Sequence, residues 1–245
     1  MLFFEYTYYL LYNNIKDKQS KMNILQVKNL TKNYVTKSYT TEVLKNLDFS
    51  IQEGDFLVIT GPSGSGKTTL LNCISGLESI TSGSVLLKGV DLAKMDQATM
   101  AKTRQTEIGF VFQAYNLLPN LTLYENIAIA MVISGNLDKG KILGLLDKFG
   151  LLKYKDYFPN QVSGGMQQRC AIVRALINDP AIIFADEPTG NLDSKSSLDV
   201  LNTFKMLHDE FGKTIVMVTH SLDHLKYGTR HIQIIDGQIQ KDEKI

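Results

Sequence analysis

The chain has no run of about 18 to 20 consecutive apolar residues, the length a membrane-crossing helix requires, although 44% of its 245 residues are hydrophobic. It is not expected to span a bilayer by itself, so any work at a membrane needs a partner. It also lacks a charge of either sign in excess: 26 basic against 25 acidic residues leave a formal net charge of +1. Without a strong positive field there is little to hold a nucleic-acid backbone, and no nucleic acid is expected as a partner. Cysteine is scarce. The two present, Cys73 and Cys170, fall in segments that read as helices and show no metal-ligand spacing, which predicts buried thiols in a reducing compartment. No internal repeat or low-complexity linker divides the sequence. Its length suits one sizeable α/β domain or two small lobes sharing a core.

What is present is organised around Gly61-Pro62-Ser63-Gly64-Ser65-Gly66-Lys67-Thr68-Thr69, which satisfies the G-x-x-x-x-G-K-[ST] template of a phosphate-binding loop. The spacing has a chemical reason. Glycines let successive backbone N–H groups turn inward around an anionic phosphate chain. Lys67 adds a point charge and Thr68 a hydroxyl for Mg²⁺. The apolar run from Leu70 to Ile74 reads as a helix whose positive N-terminal end faces the phosphates. Phe56 to Thr60 reads as the strand that delivers the loop. The loop alone leaves kinases, GTPases and many ATPases open, since all need the same cradle.

Residues 1–21 differ in composition from the rest: Met1 to Leu11 is aromatic and apolar, Tyr12 to Lys21 polar. With neither a basic start nor a small-residue cleavage site, the segment does not read as a secretory leader. It is expected to be an N-terminal extension produced by an upstream start codon chosen in error, with a membrane-surface anchor as the alternative. From Ile24 onward the sequence predicts one domain over 22–245. Ile24 to Val27, Val43 to Ile51 and Gly83 to Lys88 read as antiparallel strands, with Gly89-Val90-Asp91 as a turn. Leu92 to Arg104 reads as a helix and Glu107 to Gln113 as a strand. Helical periodicity in Leu123 to Ser134 and Gly140 to Phe149 predicts a helical lobe inserted over about 114–165. A helix over Gly164 to Asn178, a buried strand over Ala181 to Ala185, a helix over Ser196 to Glu210, a strand over Thr214 to Thr219 and a hairpin about Asp236-Gly237 follow. Strands alternating with helices argue for an α/β fold with a mainly parallel sheet and a smaller antiparallel patch on its N-terminal side.

Two further stretches carry chemistry. Ile182 to Ala185 is an apolar strand ending in Asp186 and Glu187. Two adjacent carboxylates are costly to bury without a cation, so the pair is placed at a strand tip. There the first acid can hold Mg²⁺ and the second can orient an attacking water. Ser163-Gly164-Gly165 stands where a helix begins, with the serine as a cap and the glycine amides free to donate. Beside a phosphate loop and an Asp-Glu strand, this becomes a second anion-binding helix end.

In this order, the phosphate loop, Gln113 at a strand end, Val162 to Met166, Asp186-Glu187, Asp193 and His220 make the chain similar to the nucleotide-binding subunits of ATP-binding cassette transporters, over residues 24 to about 240. The resemblance implies a phosphate-loop NTPase core of the RecA-like kind, an N-terminal antiparallel β lobe and an inserted helical lobe. It implies ATP and Mg²⁺ as cofactors and assigns roles. Tyr34 would stack on the adenine, a contact on the order of 1–3 kcal/mol by analogy with base stacking on aromatic side chains. Gly61 to Thr69 would hold the phosphates. Thr68, Gln113 and Asp186 would serve the metal. Lys67, Gln113, Glu187 and His220 would form the catalytic group, with Glu187 as base and His220 at the γ-phosphate. Ser163, Gly164, Gly165 and Asp193 would serve the nucleotide of a second copy, so two chains pack head to tail around two ATP molecules.

Two positions depart from the family pattern. Met166 stands where the signature glutamine is usual, and Val162 replaces its leucine. The methionine removes a side-chain amide and leaves the backbone donors of Gly164 and Gly165 in place. The stretches Ile108 to Pro119 and Asp186 to Asp193 resemble more narrowly the macrolide-export, lipoprotein-release and cell-division ATPases. The resemblance thus implies an ATP-hydrolysing motor peripheral to the cytoplasmic face of the membrane. It would drive export or extraction through a separate transmembrane permease. The alternative is an ATP-driven mechanotransmission or sensing module acting on a membrane partner without transport.

Overall fold

The computed structural model describes residues 22–36 and 38–245; the expectation for residues 1–21 lies outside them. Two sheets organise the chain. The first is four-stranded and antiparallel, in the order β2-β1-β4-β5. Its members are β1 (Asn23–Val35), β2 (Thr40–Gln52), β4 (Ser82–Leu87) and the two-residue β5 (Val90–Asp91). The second is six-stranded, in the order β10-β9-β3-β8-β7-β6. In it β9 (Arg230–Ile235), β3 (Phe56–Thr60), β8 (Thr214–Val218), β7 (Ile182–Asp186) and β6 (Ile108–Phe112) run parallel, and β10 (Gln238–Lys244) closes one edge as the antiparallel arm of a hairpin.

The parallel strands are short apolar runs because both faces are covered. In β3, Phe56 and Val58 face one core while Leu57 and Ile59 face the other. The same alternation sends Ile183 and Ala185 of β7, and Ile215 and Met217 of β8, to the first core. Ile182 and Phe184, with Val216 and Val218, go to the second. The first core is completed by α3 (Leu123–Ser134), α4 (Lys139–Lys148), α5 (Gly164–Leu176) and α6 (Ser194–Asp209). The second is completed by α1 (Lys67–Ile74) and the antiparallel sheet. Cys73 and Cys170 are buried, unbridged thiols, and burial pushes each up to about 12.

Local chemistry sets the helix ends. Thr122 and Glu125 form a reciprocal capping box at the start of α3, and Gly135 ends it in the left-handed conformation. The helix expected over Leu92 to Arg104 is in fact a 3-10 turn at Leu92–Lys94 followed by α2 (Gln97–Thr106). The break occurs because Asp96 turns its carboxylate back to accept from the Thr99 amide at 2.7 Å, which starts a new helix. Val90 and Asp91, expected as a turn, pair with Leu87 and Leu86. The first two strands extend well beyond Ile24 to Val27 and Val43 to Ile51, to 13 residues each.

The parallel register brings the C-terminal ends of three strands to one edge: Ile59 pairs with Val218, which pairs with Asp186. The next residues in the chain are the phosphate loop, His220 and Glu187. Ligands of parallel α/β sheets bind at this edge.

Candidate functional site

The loop after β3 winds tightly enough that only glycine serves at its last turn. Gly66 has φ +100, and a Cβ there would lie 2.9 Å from a Leu44 methyl and 3.1 Å from the Val43 carbonyl. The hairpin between β9 and β10 braces the loop from outside, with the Gly237 amide donating to the Ser65 carbonyl at 3.1 Å. Gly66 caps α1 without a side-chain bond, so no side chain competes for the first-turn amides. Lys67 is buried, and its ammonium donates to the carbonyls of Gly61 at 2.9 Å and Pro62 at 2.8 Å. The Ser65 hydroxyl is buried and has no partner.

Two polar pairs stand at the loop. Thr68 donates its hydroxyl to Asp186 Oδ1 at 3.2 Å. Burial pushes the Asp186 carboxyl above its ordinary range; the bond from Thr68 opposes that shift and neighbouring Glu187 adds to it. His220 Nδ1 lies 2.6 Å from Glu187 Oε2. Glu187 takes a left-handed φ of +44, an unfavourable state for a residue with a side chain, and its amide is held by the Val218 carbonyl at 3.0 Å. A cleft of about 320 Å³ is lined by Ser63, Gly64, Gly66 to Thr69, Val43, Glu187 and His220.

These features fit a nucleoside triphosphate with a divalent cation. Uncapped amides and a buried ammonium suit the phosphates. A half-buried carboxylate beside a threonine hydroxyl suits a hard, oxygen-seeking cation.

The other expected residues are distributed around this cleft. Tyr34, on β1, is 40% exposed, and its hydroxyl donates to Glu78 Oε2 at 2.9 Å. Gln113 stands just past β6: its Nε2 donates to Asn191 Oδ1 at 3.0 Å, and Asn191 Nδ2 donates back to the Gln113 carbonyl at 3.2 Å. Its Nε2 is thus engaged by the segment after β7. Ser163 caps α5 through a 3.3 Å bond from the Met166 amide. The side chains of Tyr115 and Leu192 crowd Gly164, and Ser196 crowds Gly165. None of these signature residues lines the cleft of the same chain. Asp193 caps α6, accepting from the Ser196 amide at 3.0 Å and its hydroxyl at 2.7 Å, bonds that hold its carboxyl below the ordinary range.

Several residues that no motif singled out hold these parts together. Gln168, fully buried on α5, donates from Nε2 to the carbonyls of Phe112 at 3.1 Å and Pro188 at 2.6 Å. It thus ties the signature helix to the segments bearing Gln113 and Glu187. Arg174 donates to the carbonyls of Tyr115 at 2.9 Å and Asn116 at 2.5 Å. Both residues have positive φ, so the guanidinium fixes an irregular turn. A buried polar residue two positions after Met166 was the one signal available for Gln168.

Comparison with known proteins follows the geometry. The ABC transporter family profile matches residues 44–190. The chain is 43% identical over 221 residues to the bacitracin export ATP-binding protein BceA of Halalkalibacterium halodurans, covering 89% of this chain and 87% of that protein. It is 41% identical over 227 residues to the lipoprotein-releasing system ATP-binding protein LolD 1 of Chlorobium chlorochromatii, covering 91% and 92%. Its fold is similar, at TM-score 0.82 and 40% identity, to a dimeric post-hydrolysis structure of the ATP-binding cassette MJ0796 of Methanocaldococcus jannaschii bound to ADP and Pi. That likeness covers 90% of this chain and 98% of the neighbour.

Proposed function

The chain belongs to the ABC transporter family as an ATP-binding, ATP-hydrolysing subunit, and from that premise we propose that it is the motor that drives export or extraction of a substrate through a separate membrane permease. The carrying observation is that Thr68, which donates to Asp186, and the Glu187–His220 pair line one phosphate-loop cleft.

The working unit is residues 22–245, with the helical insertion over about 114–165 as the part that meets the permease. Tyr34 stacks on the adenine, and Gly61 to Thr69 enclose the phosphates. Thr68 and Asp186, with Gln113, would hold Mg²⁺, which would supply neutralisation of the phosphate charge. Glu187 accepts the proton of the attacking water, and His220 orients that carboxylate and reaches toward the γ-phosphate. Gln113 joins the metal and water shell and also reports nucleotide state, and its bond to Asn191 supports the second role by linking the strand end to the segment that carries Glu187 and Asp193. Ser163, Gly164, Gly165 and Asp193 act on the nucleotide of a second copy packed head to tail. Their distance from the cleft of their own chain supports this, as does the dimeric form of the MJ0796 cassette.

Among the described residues no helix is long and apolar enough to cross a membrane, so attachment to the cytoplasmic face is placed on the permease. A groove of about 460 Å³ offers a dock, lined among others by Arg104, Phe112, Asn116, Ile133 and Arg174. It adjoins Gln113 and includes the turn fixed by Arg174, so a nucleotide signal has a short path into it. The names of BceA and LolD 1 speak for export or release over a purely regulatory role. The test is cysteine crosslinking from Asn116→Cys in the complex purified with its permease. A crosslink to a cytoplasmic helix of the permease is expected, and none in an intact, ATP-hydrolysing complex would refute the docking.

A further inference from the structure

The hydrolytic machinery does not use the ion pair between buried Lys32 and half-buried Glu78. Lys32 of β1 is buried, and its ammonium donates to Glu78 Oε1 at 2.9 Å and to the Ser79 carbonyl at 2.7 Å. The other oxygen of the same carboxylate, Oε2, accepts the Tyr34 hydroxyl at 2.9 Å. Lys32 and Tyr34 are two residues apart on one strand and so share a face, with the ammonium 4.9 Å from the centre of the Tyr34 ring. The ring is thereby held at its hydroxyl end by Glu78 and on one face by Lys32, which leaves the opposite face to receive a base. Burial opposes the negative charge on Glu78, but the bonds from Lys32 and Tyr34 outweigh it and hold the carboxyl below its ordinary range. The carboxylate is therefore ionised and engaged at both oxygens.

The location gives this clamp a consequence. Glu78 lies four residues past the end of α1, the helix that opens from the phosphate loop, whereas Tyr34 belongs to the antiparallel sheet. We propose that Glu78, with Lys32, is a positioning residue for nucleotide recognition, fixing the Tyr34 ring relative to the phosphate loop so that base and phosphates are met at one set distance. The inference rests on the reading of Tyr34 as the base platform. It goes further in predicting that the base and phosphate contributions to affinity are separable, and that the ion pair controls the first only. A preformed platform avoids the cost of ordering a side chain on binding.

The experiment measures ATP and inorganic tripolyphosphate binding by calorimetry on the full chain and on Tyr34→Ala, Tyr34→Phe and Glu78→Gln, with thermal unfolding recorded for each. Stacking worth about 1–3 kcal/mol corresponds to a loss of about 5- to 150-fold in ATP affinity for Tyr34→Ala. Glu78→Gln is expected to lose about threefold or more of ATP affinity, within the loss seen for Tyr34→Ala, and to keep tripolyphosphate affinity within about twofold. In turnover the same variant raises KM for ATP and leaves kcat in place. Tyr34→Phe removes only the hydroxyl bond, leaves the ion pair intact and changes affinities in the same sense, so it decides the matter if Glu78→Gln does not fold. A folded Glu78→Gln, or a Tyr34→Phe, with unchanged ATP affinity beside a weakened Tyr34→Ala overturns the positioning role alone. An equal loss for ATP and tripolyphosphate in Glu78→Gln overturns it too, by making the pair a support of the loop. Unchanged ATP affinity in Tyr34→Ala overturns the base-platform reading itself.

Discussion

Replacing Glu187 by glutamine separates binding from chemistry at this site. The side chain keeps its length and an acceptor oxygen for His220, now 2.6 Å away, but it can no longer take a proton. The backbone bond from the Glu187 amide to Val218 is untouched, so the left-handed turn that aims the side chain survives. Loss of a positioned general base costs about 10²- to 10⁴-fold in rate, or about 2.7–5.4 kcal/mol of barrier. Lys67, Thr68 and Asp186 are unaltered, so nucleotide affinity should hold within about threefold, on the order of 0.7 kcal/mol. With hydrolysis blocked, the ATP-bound head-to-tail dimer should accumulate and elute early on size exclusion. Lys67→Ala should behave oppositely. It removes the ammonium and its bonds to the Gly61 and Pro62 carbonyls, and should lose binding and dimerisation together. Phosphate release, calorimetry and size exclusion, on the subunit and on its complex with the permease, read the three quantities. A Glu187→Gln complex that hydrolyses ATP at the normal rate would refute the assignment of the base, and the water would have to be organised by His220 or by the phosphate itself.

Two other outcomes follow from particular contacts. Burial raises the Asp186 carboxyl, so in the nucleotide-free chain its ionised form opposes folding. That cost is absent below the ordinary carboxylate range near pH 4 and grows as pH rises through the raised value. Asp186→Asn should therefore raise Tm at pH 7 with a gain that vanishes near pH 4, while weakening Mg-ATP by more than about tenfold, or 1.4 kcal/mol; an unchanged or lowered Tm at pH 7 would contradict this. Met166→Gln should change ATPase activity by less than about tenfold, or 1.4 kcal/mol. The contribution of Met166 to the capped turn is its backbone amide, bonded to Ser163, and a hundredfold gain would show that the natural site is impaired by its methionine.

The parallel sheet was legible in the sequence because its strands are buried on both faces. Phe56–Thr60, Ile182–Asp186 and Thr214–Val218 are apolar almost throughout, and glycine, proline or charge bounds them. The antiparallel sheet was legible only in its buried halves. Tyr34, Val35 and Thr40 to Glu42 are exposed, with no apolar alternation to mark them. The register shifts that interrupt β1 between Val27 and Asn33 break the two-residue period. Backbone hydrogen bonding carries these strands on where side-chain burial no longer does, and a hydrophobic pattern records only the burial.

The site divides along the same line. The phosphate loop, the Ser163 cap and the Asp186-Glu187 strand tip work through backbone geometry or through what is adjacent in the chain, so spacing alone reveals them. Gln113 does not work that way. Its strand-end position is legible, whereas the direction of its amide is set by Gly190 and Asn191, 78 residues further along for the latter. A Cβ on Gly190 would lie 2.7 Å from Gln113 Nε2, so the absence of that atom is what admits the amide. The Glu78–Tyr34 bond likewise spans 44 residues. Long-range side-chain partnerships of this kind leave no periodic trace. They are nevertheless what ties Tyr34 to the segment after the phosphate-loop helix, and Gln113 to the segment bearing Glu187. On the proposed reading, coupling between the parts of the cycle resides in contacts such as these, whereas the chemistry resides in the motifs.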